Sequence, residues 1–142
     1  GRSPFDVTPY QSLDYIDIRN RFIPNEELVA LIQRAAFVVC PYTDATQSGV
    51  IMSAFAFNKP VIATDVGGLP EMVRHGTEGL LVKAKEVNAL ADAIVILWSD
   101  RSLLDTYSRN IEENYSEGDL SWRKIAEELK VQYQNMTGGY KS

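Results

Sequence analysis

The stretch TDATQSGVIMSAFAFNKPVIATDVGGLPE, from Thr43 to Glu71, decides the fold of this 142-residue chain. It holds an apolar segment, SGVIMSAFAF, and then a shorter apolar run, KPVIAT, each with a glycine-containing polar turn beside it. The first segment is long enough for a helix, and Asn58 is suited to end it because asparagine tolerates a positive φ. The second begins at Pro60 and is typical of a short buried strand.

The same alternation continues on both sides of this stretch. Upstream, YIDIRNRFI (15–23) predicts a strand, NEELVALIQRA predicts a helix capped by Asn25, and AFVVC predicts a buried strand that ends at Cys40. Downstream, DVGGLPEMVRHG predicts a turn and a short helix, and EGLLV predicts a further strand. The order of elements indicates an α/β, Rossmann-like parallel sheet flanked by helices.

Helices also close the chain. Residues 86–100 predict a helix, Asp100 is placed to cap the next one over 101–115, and Asp119 is placed to cap a last helix. In the first of them one apolar stripe is expected to face the core; its members are Val87, Leu90, Ala91, Ile94, Leu97 and Trp98. The length predicts a single domain over residues 1–142.

Composition excludes several classes of function. The formal net charge of −5 argues against nucleic-acid binding through a basic face. The one histidine, His75, has no Cys or His partners at ligand spacing, so no metal site is predicted and His75 is expected in a turn. Cys40 lies among apolar residues and is expected to be a buried small hydrophobe. No apolar run approaches the length that spans a bilayer.

Two polar turns follow neighbouring strands and should meet at one edge of the sheet. TDATQSG follows the strand that ends at Cys40, and DVGGLPE follows the strand that ends near Thr64. Ligands of parallel α/β sheets bind beyond the carboxyl ends of the strands. The two turns are therefore predicted to form one rim of a cleft.

The first turn has the features of a phosphate site. If a helix starts at Ser48, its first amides have no partner within the helix and favour an anion, and Gly49 allows a ligand close to the backbone. A capped helix without a ligand explains the same residues, and the spacing leaves both interpretations open. Asp44, the loop's one carboxylate, could accept a hydrogen bond from a sugar or simply favour a turn.

The second turn is more ambiguous. Gly67 and Gly68 permit a tight turn with positive φ, and they also permit close approach of a sugar or phosphate. The turn alone is the better explanation from the residues, and the same holds for Asp65 beside it.

From Arg21 to Val82 the chain resembles the donor-binding domain of the retaining family 4 glycosyltransferases, which have the GT-B fold. The motifs ATQSGV and AFNKPVIATDVGGLPEMV carry the resemblance. It implies that amides near Ser48, Gly49 and Val50 cradle the diphosphate of a nucleotide-sugar and that Asp44 lies near the donor sugar. Together with the residues of the two turns, this makes a predicted donor-binding set of Gln47, Ser48, Gly49, Val50, Ser53, Gly67 and Gly68. Asp44 is the candidate catalytic carboxylate, and no cofactor is predicted.

The chain departs from the family at two places. The family has paired glutamates where this sequence has Ala45 and Ser53. Asp44, one residue away, is then expected to replace the first glutamate, and Ser53 is expected to hydrogen-bond the ribose. The family domain also starts with strands and a basic pair that are expected upstream of Gly1, and it faces an N-terminal acceptor domain. The chain is therefore expected to be part of a longer enzyme and inactive alone.

The leading hypothesis is the donor side of a glycosyltransferase that uses a saccharide or lipid-linked acceptor, with surface polysaccharide synthesis as its expected process. This hypothesis predicts a cytoplasmic location, with association at the inner face of the membrane. The alternatives are a noncatalytic nucleotide-sugar-binding or scaffolding module and, less favoured, a sugar-nucleotide epimerase. Sheet edges left open by absent strands predict self-association.

Overall fold

The computed structural model describes residues 6–115, which form a three-stranded parallel sheet with helices on both faces. Along the chain, helix α1 (Asn25–Arg34) comes first, followed by β1 (Val38–Cys40) and helix α2 (Gly49–Ala56). Strand β2 (Val61–Thr64) leads to the short helix α3 (Leu69–Met72), and β3 (Gly79–Val82) leads to α4 (Val87–Ser99) and α5 (Arg101–Tyr115). The predicted fold class is confirmed.

The strands run in the order β1-β2-β3, with Val39 opposite Ile62 and Ile62 opposite Leu80. All four residues of β2 are buried, as the middle strand of a sheet covered on both faces requires. Val61 and Ala63 pack in one apolar cluster with residues of α1 and α2, whereas Ile62 packs in another with α4. This alternation places helices on opposite faces of the sheet.

Two predicted helix ends are confirmed. Asn58 has a φ of 58° just beyond α2, and the Leu103 amide donates to Asp100 Oδ1 over 3.0 Å at the start of α5. The prediction that Asn25 caps α1 is wrong, because Pro24 occupies the cap position and Asn25 is the first helical residue. Asp119 and the predicted last helix lie outside the described residues.

Residues 15–23 do not form the predicted strand. The segment has no neighbouring strand among the described residues, and charge pairs hold it instead. Arg19 bonds Asp17 over 3.0 Å and Glu27 over 2.7 Å, and Arg21 also bonds Glu27. The alternation of apolar and charged residues that predicted a strand therefore serves a side-chain network at the start of α1.

The stripe predicted on α4 is only partly right. Leu97 is buried and Leu90 and Ile94 pack against the core, but Val87 and Trp98 are 78% and 76% exposed. Ala93, which the stripe omitted, is buried in their place. No helix in residues 6–115 has the length and apolarity to cross a membrane.

The outer side of β3 is bonded to the turn that precedes it. The Gly76 amide donates to the Gly79 carbonyl over 2.8 Å, and the Leu81 amide donates to His75 Nδ1 over 3.0 Å. His75 is exposed and lies just before the turn of residues 76–78, in a bridge with Gly79 rather than in the turn where it was predicted, and its ring accepts a hydrogen bond from the strand edge.

At the amino end of β3, the Glu78 side chain is fully buried. Its carboxylate accepts from Asn114 Nδ2 over 3.2 Å and from the Tyr115 hydroxyl over 3.1 Å, and Arg74 Nε lies 3.5 Å away. Burial, and then the Glu78 charge, raise the pKa of Tyr115. This carboxylate ties the last turn of α5 to the sheet.

Candidate functional site

The two polar turns come together at the carboxyl edge of the sheet, as the sequence predicts. The β1–α2 loop (residues 41–48) follows Cys40, and the β2–α3 turn (residues 65–68) follows Thr64. The Gly68 amide donates to the Ala45 carbonyl over 3.1 Å, so the two segments are in direct contact.

Ser48 caps α2. Its backbone is extended, and its hydroxyl accepts from the Ile51 amide over 3.2 Å. The Met52 amide donates to the Ser48 carbonyl, which leaves the Gly49 and Val50 amides as the two at this helix end without a helical acceptor. Ser48 itself is 4% exposed, so its hydroxyl serves the cap and its backbone marks the start of the helix.

A chain of hydroxyl groups holds the β1–α2 loop at both ends. Thr64 Oγ1 donates to the Tyr42 carbonyl over 2.5 Å, and the Tyr42 hydroxyl lies 3.1 Å from Ser48 Oγ. Thr64 is 4% exposed, so this part of the edge is anchored in the core. Tyr42 was missed by sequence reasoning, since nothing in the spacing marks it as the partner of the cap.

Gly49 faces open space. A Cβ built at this residue would meet no atom within 4 Å, and the residue is exposed. Ser53 lies one turn further along α2, on the same side of the helix, and is half-buried. The amide end of α2 is therefore open at Gly49.

Asp44 and Gln47 are exposed on the loop that leads to this helix end, and Val50 is half-buried just inside it. Asp44 has no hydrogen bond or ion pair with any of residues 6–115. Asp65 is exposed too, and its amide donates to the Val82 carbonyl over 2.8 Å. Asp44, Gln47 and the free end of α2 thus lie within one short, largely exposed segment.

Gly67 and Gly68 are packed against the loop. A Cβ at Gly67 would lie 1.9 Å from the Ala45 carbonyl oxygen, and one at Gly68 would lie 2.0 Å from the Thr46 carbonyl oxygen. Gly67 also has a φ of +51°. Loop packing accounts for both glycines, and donor contact by them stays a prediction.

A cleft of about 190 Å³ opens at the same edge of the sheet. It is bounded by the exits of all three strands and the first turns of α4; the lining residues are Pro41, Thr43, Thr64, Val82, Lys83, Lys85, Glu86, Val87 and Leu90. Lys83 Nζ lies 3.8 Å from Glu86, and Lys85 has a φ of 64°. The two lysines were missed, although they follow β3 as Asp44 and Asp65 follow their strands.

Cys40 is buried at the end of β1 and is not part of the cleft lining. It is 3% exposed, and burial raises the pKa of its thiol to about 11. The predicted role as a small buried hydrophobe is confirmed. Within residues 6–115 no three His, Cys, Asp or Glu side chains are grouped closely enough to hold a metal ion.

Comparison with protein families identifies a match over most of the described residues. The model of the family described as "Glycosyl transferases group 1" matches residues 10–100, more than half of the chain. The D-inositol 3-phosphate glycosyltransferase of Corynebacterium urealyticum is 34% identical over 116 residues, which cover 80% of this chain and 26% of that protein.

Solved structures show the same fold. The sucrose-phosphate synthase of Thermosynechococcus elongatus is 30% identical, with a TM-score of 0.67 over 94% of this chain and 33% of that one. Anabaena HepE, crystallised in complex with UDP, is 24% identical, with a TM-score of 0.59 over 77% of this chain and 29% of that one. The chain spans about a quarter to a third of the length of these proteins.

Proposed function

This chain belongs to the glycosyl transferases group 1, and from that membership we propose that it is the donor-binding part of a longer glycosyltransferase. The whole enzyme moves a sugar from a nucleotide diphosphate-sugar to a saccharide or lipid-linked acceptor, and a separate domain holds that acceptor. A role in the synthesis of surface polysaccharide, at the cytoplasmic face of the membrane, fits this proposal.

The observation that carries the proposal is the open end of α2. Two amides, those of Gly49 and Val50, have no helical acceptor, and nothing occupies the space above Gly49. Helix-end amides carry partial positive charge and bind phosphate oxygens. The donor diphosphate is proposed to lie here, with Gln47 beside it and Ser53 near the ribose.

The chemical step breaks the bond between the anomeric carbon and the diphosphate oxygen. The electron pair leaves with the diphosphate, and a hydroxyl oxygen of the acceptor forms the new bond and loses its proton. Fixed amides at the end of α2 stabilise the negative charge that develops on the leaving phosphate. Asp44, exposed and unpaired among residues 6–115, accepts a hydrogen bond from the sugar or stabilises positive charge at the anomeric carbon.

Gly49→Ala in the full-length protein tests the site. The added methyl group meets nothing in the free structure, so folding should be unaffected, while a bound diphosphate would be displaced. We expect the affinity for the nucleotide to fall by about tenfold or more in calorimetric titration. UDP is the first probe because HepE, which shares the fold, was crystallised with it; GDP and ADP follow.

Asn88→Ala, in the first turn of α4, is the matched control and should leave the affinity unchanged. If the wild-type protein binds a nucleoside diphosphate and Gly49→Ala binds it equally well, the diphosphate does not lie at α2. If no nucleotide binds to the wild type, the proposed function itself fails.

A noncatalytic nucleotide-sugar-binding module is the second candidate. It is favoured by Ala45 and Ser53, which stand where the family has paired glutamates. Such a module would bind a nucleotide-sugar without releasing free nucleotide from it. Assay of the full-length protein for release of UDP, GDP or ADP from the corresponding sugar conjugates separates the two functions.

A further inference from the structure

We infer that the Gly67–Gly68 turn is a positioning element for the donor site, because it fixes the backbone of Ala45 and Thr46 and through it the place of Asp44. The inference rests on the proposed function in one respect, that Asp44 faces the donor sugar. The contact between the two segments stands on its own.

At the two glycines the nearest atoms of the loop are backbone atoms. The Gly68 amide donates to the Ala45 carbonyl, and the α-carbons of both glycines lie so close to the loop that neither has room for a Cβ. The obstructing atoms are the carbonyl oxygens of Ala45 and Thr46, at 1.9 Å and 2.0 Å from the built Cβ positions. These oxygens cannot move out of the way without moving the loop backbone.

Gly68 shows that the packing is the reason for the pair. Gly67 has a positive φ, which by itself favours glycine. Gly68 has φ −87° and ψ 0°, a conformation that other residues adopt, so no backbone requirement explains a glycine there. The nearness of the Thr46 carbonyl oxygen does explain it.

Asp44 immediately precedes the two residues that the turn contacts. The ends of the loop are held by Thr64 and Tyr42 on one side and by the Ser48 cap on the other. Asp44 itself bonds to nothing in residues 6–115, so its place is set by the backbone on its two sides, which is held at Tyr42 and at Ala45. The turn is thus placed to control the carboxylate while leaving the end of α2 where the cap holds it.

The test is Gly68→Ala in the full-length protein. The methyl group should push the Thr46 carbonyl away and shift Asp44 and Gln47, whereas the Ser48 cap keeps the α2 amides, which carry the proposed nucleotide contact, in place. We expect the nucleotide affinity to stay within about threefold of the wild type and the rate of sugar release from the donor to fall at least about tenfold. A general loss of structure would instead lower the rate and the nucleotide binding together.

Gly76→Ala is the matched control. Gly76 has a positive φ of 78° but open space at its Cβ position, so this variant carries backbone strain without a clash at the loop. It should retain the wild-type rate for the fraction that is folded. A folded Gly68→Ala variant with an unchanged rate, or with rate and affinity lowered by the same factor, would overturn the inference.

Hydrogen exchange of the wild-type protein provides a readout that needs no activity. The Gly68 amide should be protected by its bond to Ala45, whereas the Gly49 amide, which has no helical acceptor, should exchange rapidly. If Gly68 exchanges as fast as Gly49, the contact does not persist in solution and the inference fails even where nucleotide binding succeeds. A protected Gly68 in a protein that binds no nucleotide would refute the proposed function and leave the contact intact.

Discussion

The hydroxyl oxygens of Tyr42 and Ser48 lie 3.1 Å apart, so the start of the β1–α2 loop is joined to the residue that caps α2. Ser48→Ala removes both the cap and the partner of Tyr42. We expect it to lower the free energy of unfolding by about 1–2 kcal/mol. Tyr42→Phe, which keeps the cap, should cost less, and urea unfolding of both variants would show the order. Equal losses would mean that the cap contributes nothing.

Asp44→Asn should separate chemistry from binding in the full-length protein. The substitution keeps the size of the side chain and removes the charge near the proposed sugar site. We expect the rate of sugar transfer to fall by about a hundredfold, with nucleotide affinity changed by less than about threefold. Asp65→Asn is the matched control, since Asp65 is an exposed carboxylate after the next strand. If both variants keep the wild-type rate, Asp44 is not the catalytic carboxylate.

Lys85→Gly should stabilise the fold. Lys85 has a φ of 64°, a conformation that costs a non-glycine residue about 1 kcal/mol. Thermal unfolding should therefore shift upward in this variant. Lys83→Gly, two residues earlier and without a positive φ, should give no gain. A lower melting temperature for Lys85→Gly would show that the side chain of Lys85 and the greater freedom of glycine in the unfolded chain together outweigh the backbone strain.

Glu78→Gln should destabilise the protein although it changes no shape. The buried carboxylate accepts from Asn114 and Tyr115, and an amide offers one oxygen and a donor in place of two acceptors. A loss of about 2 kcal/mol in the free energy of unfolding is expected. Glu86→Gln provides the control, because Glu86 is an exposed residue 3.8 Å from Lys83. Similar losses in the two variants would contradict a special role for the buried group.

Cys40 makes stability depend on alkaline pH. Burial raises the pKa of its thiol from 9.0 to about 11, so the unfolded chain releases this proton at a lower pH than the folded one. The contribution to stability is complete below pH 9.0 and is lost as the pH rises towards about 11. Urea unfolding across this range should show a shallower fall for Cys40→Ala than for the wild type. Identical slopes would mean that the folded thiol ionises normally.

Much of the fold could be predicted because the signals are local. The Ser48 cap, the end of α2 at Asn58 and the polar turns after β1 and β2 each follow from a residue type at a fixed place. The parallel sheet follows from the alternation of strands and helices. The family is confirmed by the match over residues 10–100.

The wrong predictions concern choices that tertiary contacts make. Residues 15–23 alternate like a strand, but they pair with no strand in the described part of the chain. Ion pairs of Arg19 with Asp17 and Glu27 hold them instead. Helix α4 carries apolar residues on more than one side, so periodicity did not distinguish the buried Ala93 from the exposed Trp98. The closeness of Gly68 to Thr46 joins segments that are distant in sequence, and no local pattern predicts it.

The bonds that His75 and Gly76 make to β3 determine which edge of the sheet can accept a further strand. An added strand on that side would have to break the bonds to Gly79 and Leu81 before it could pair. On the other side, β1 pairs with β2 alone among residues 6–115. Any strand supplied by the rest of the protein, or by a second copy, is therefore expected to join beside β1, next to the loop that carries Asp44.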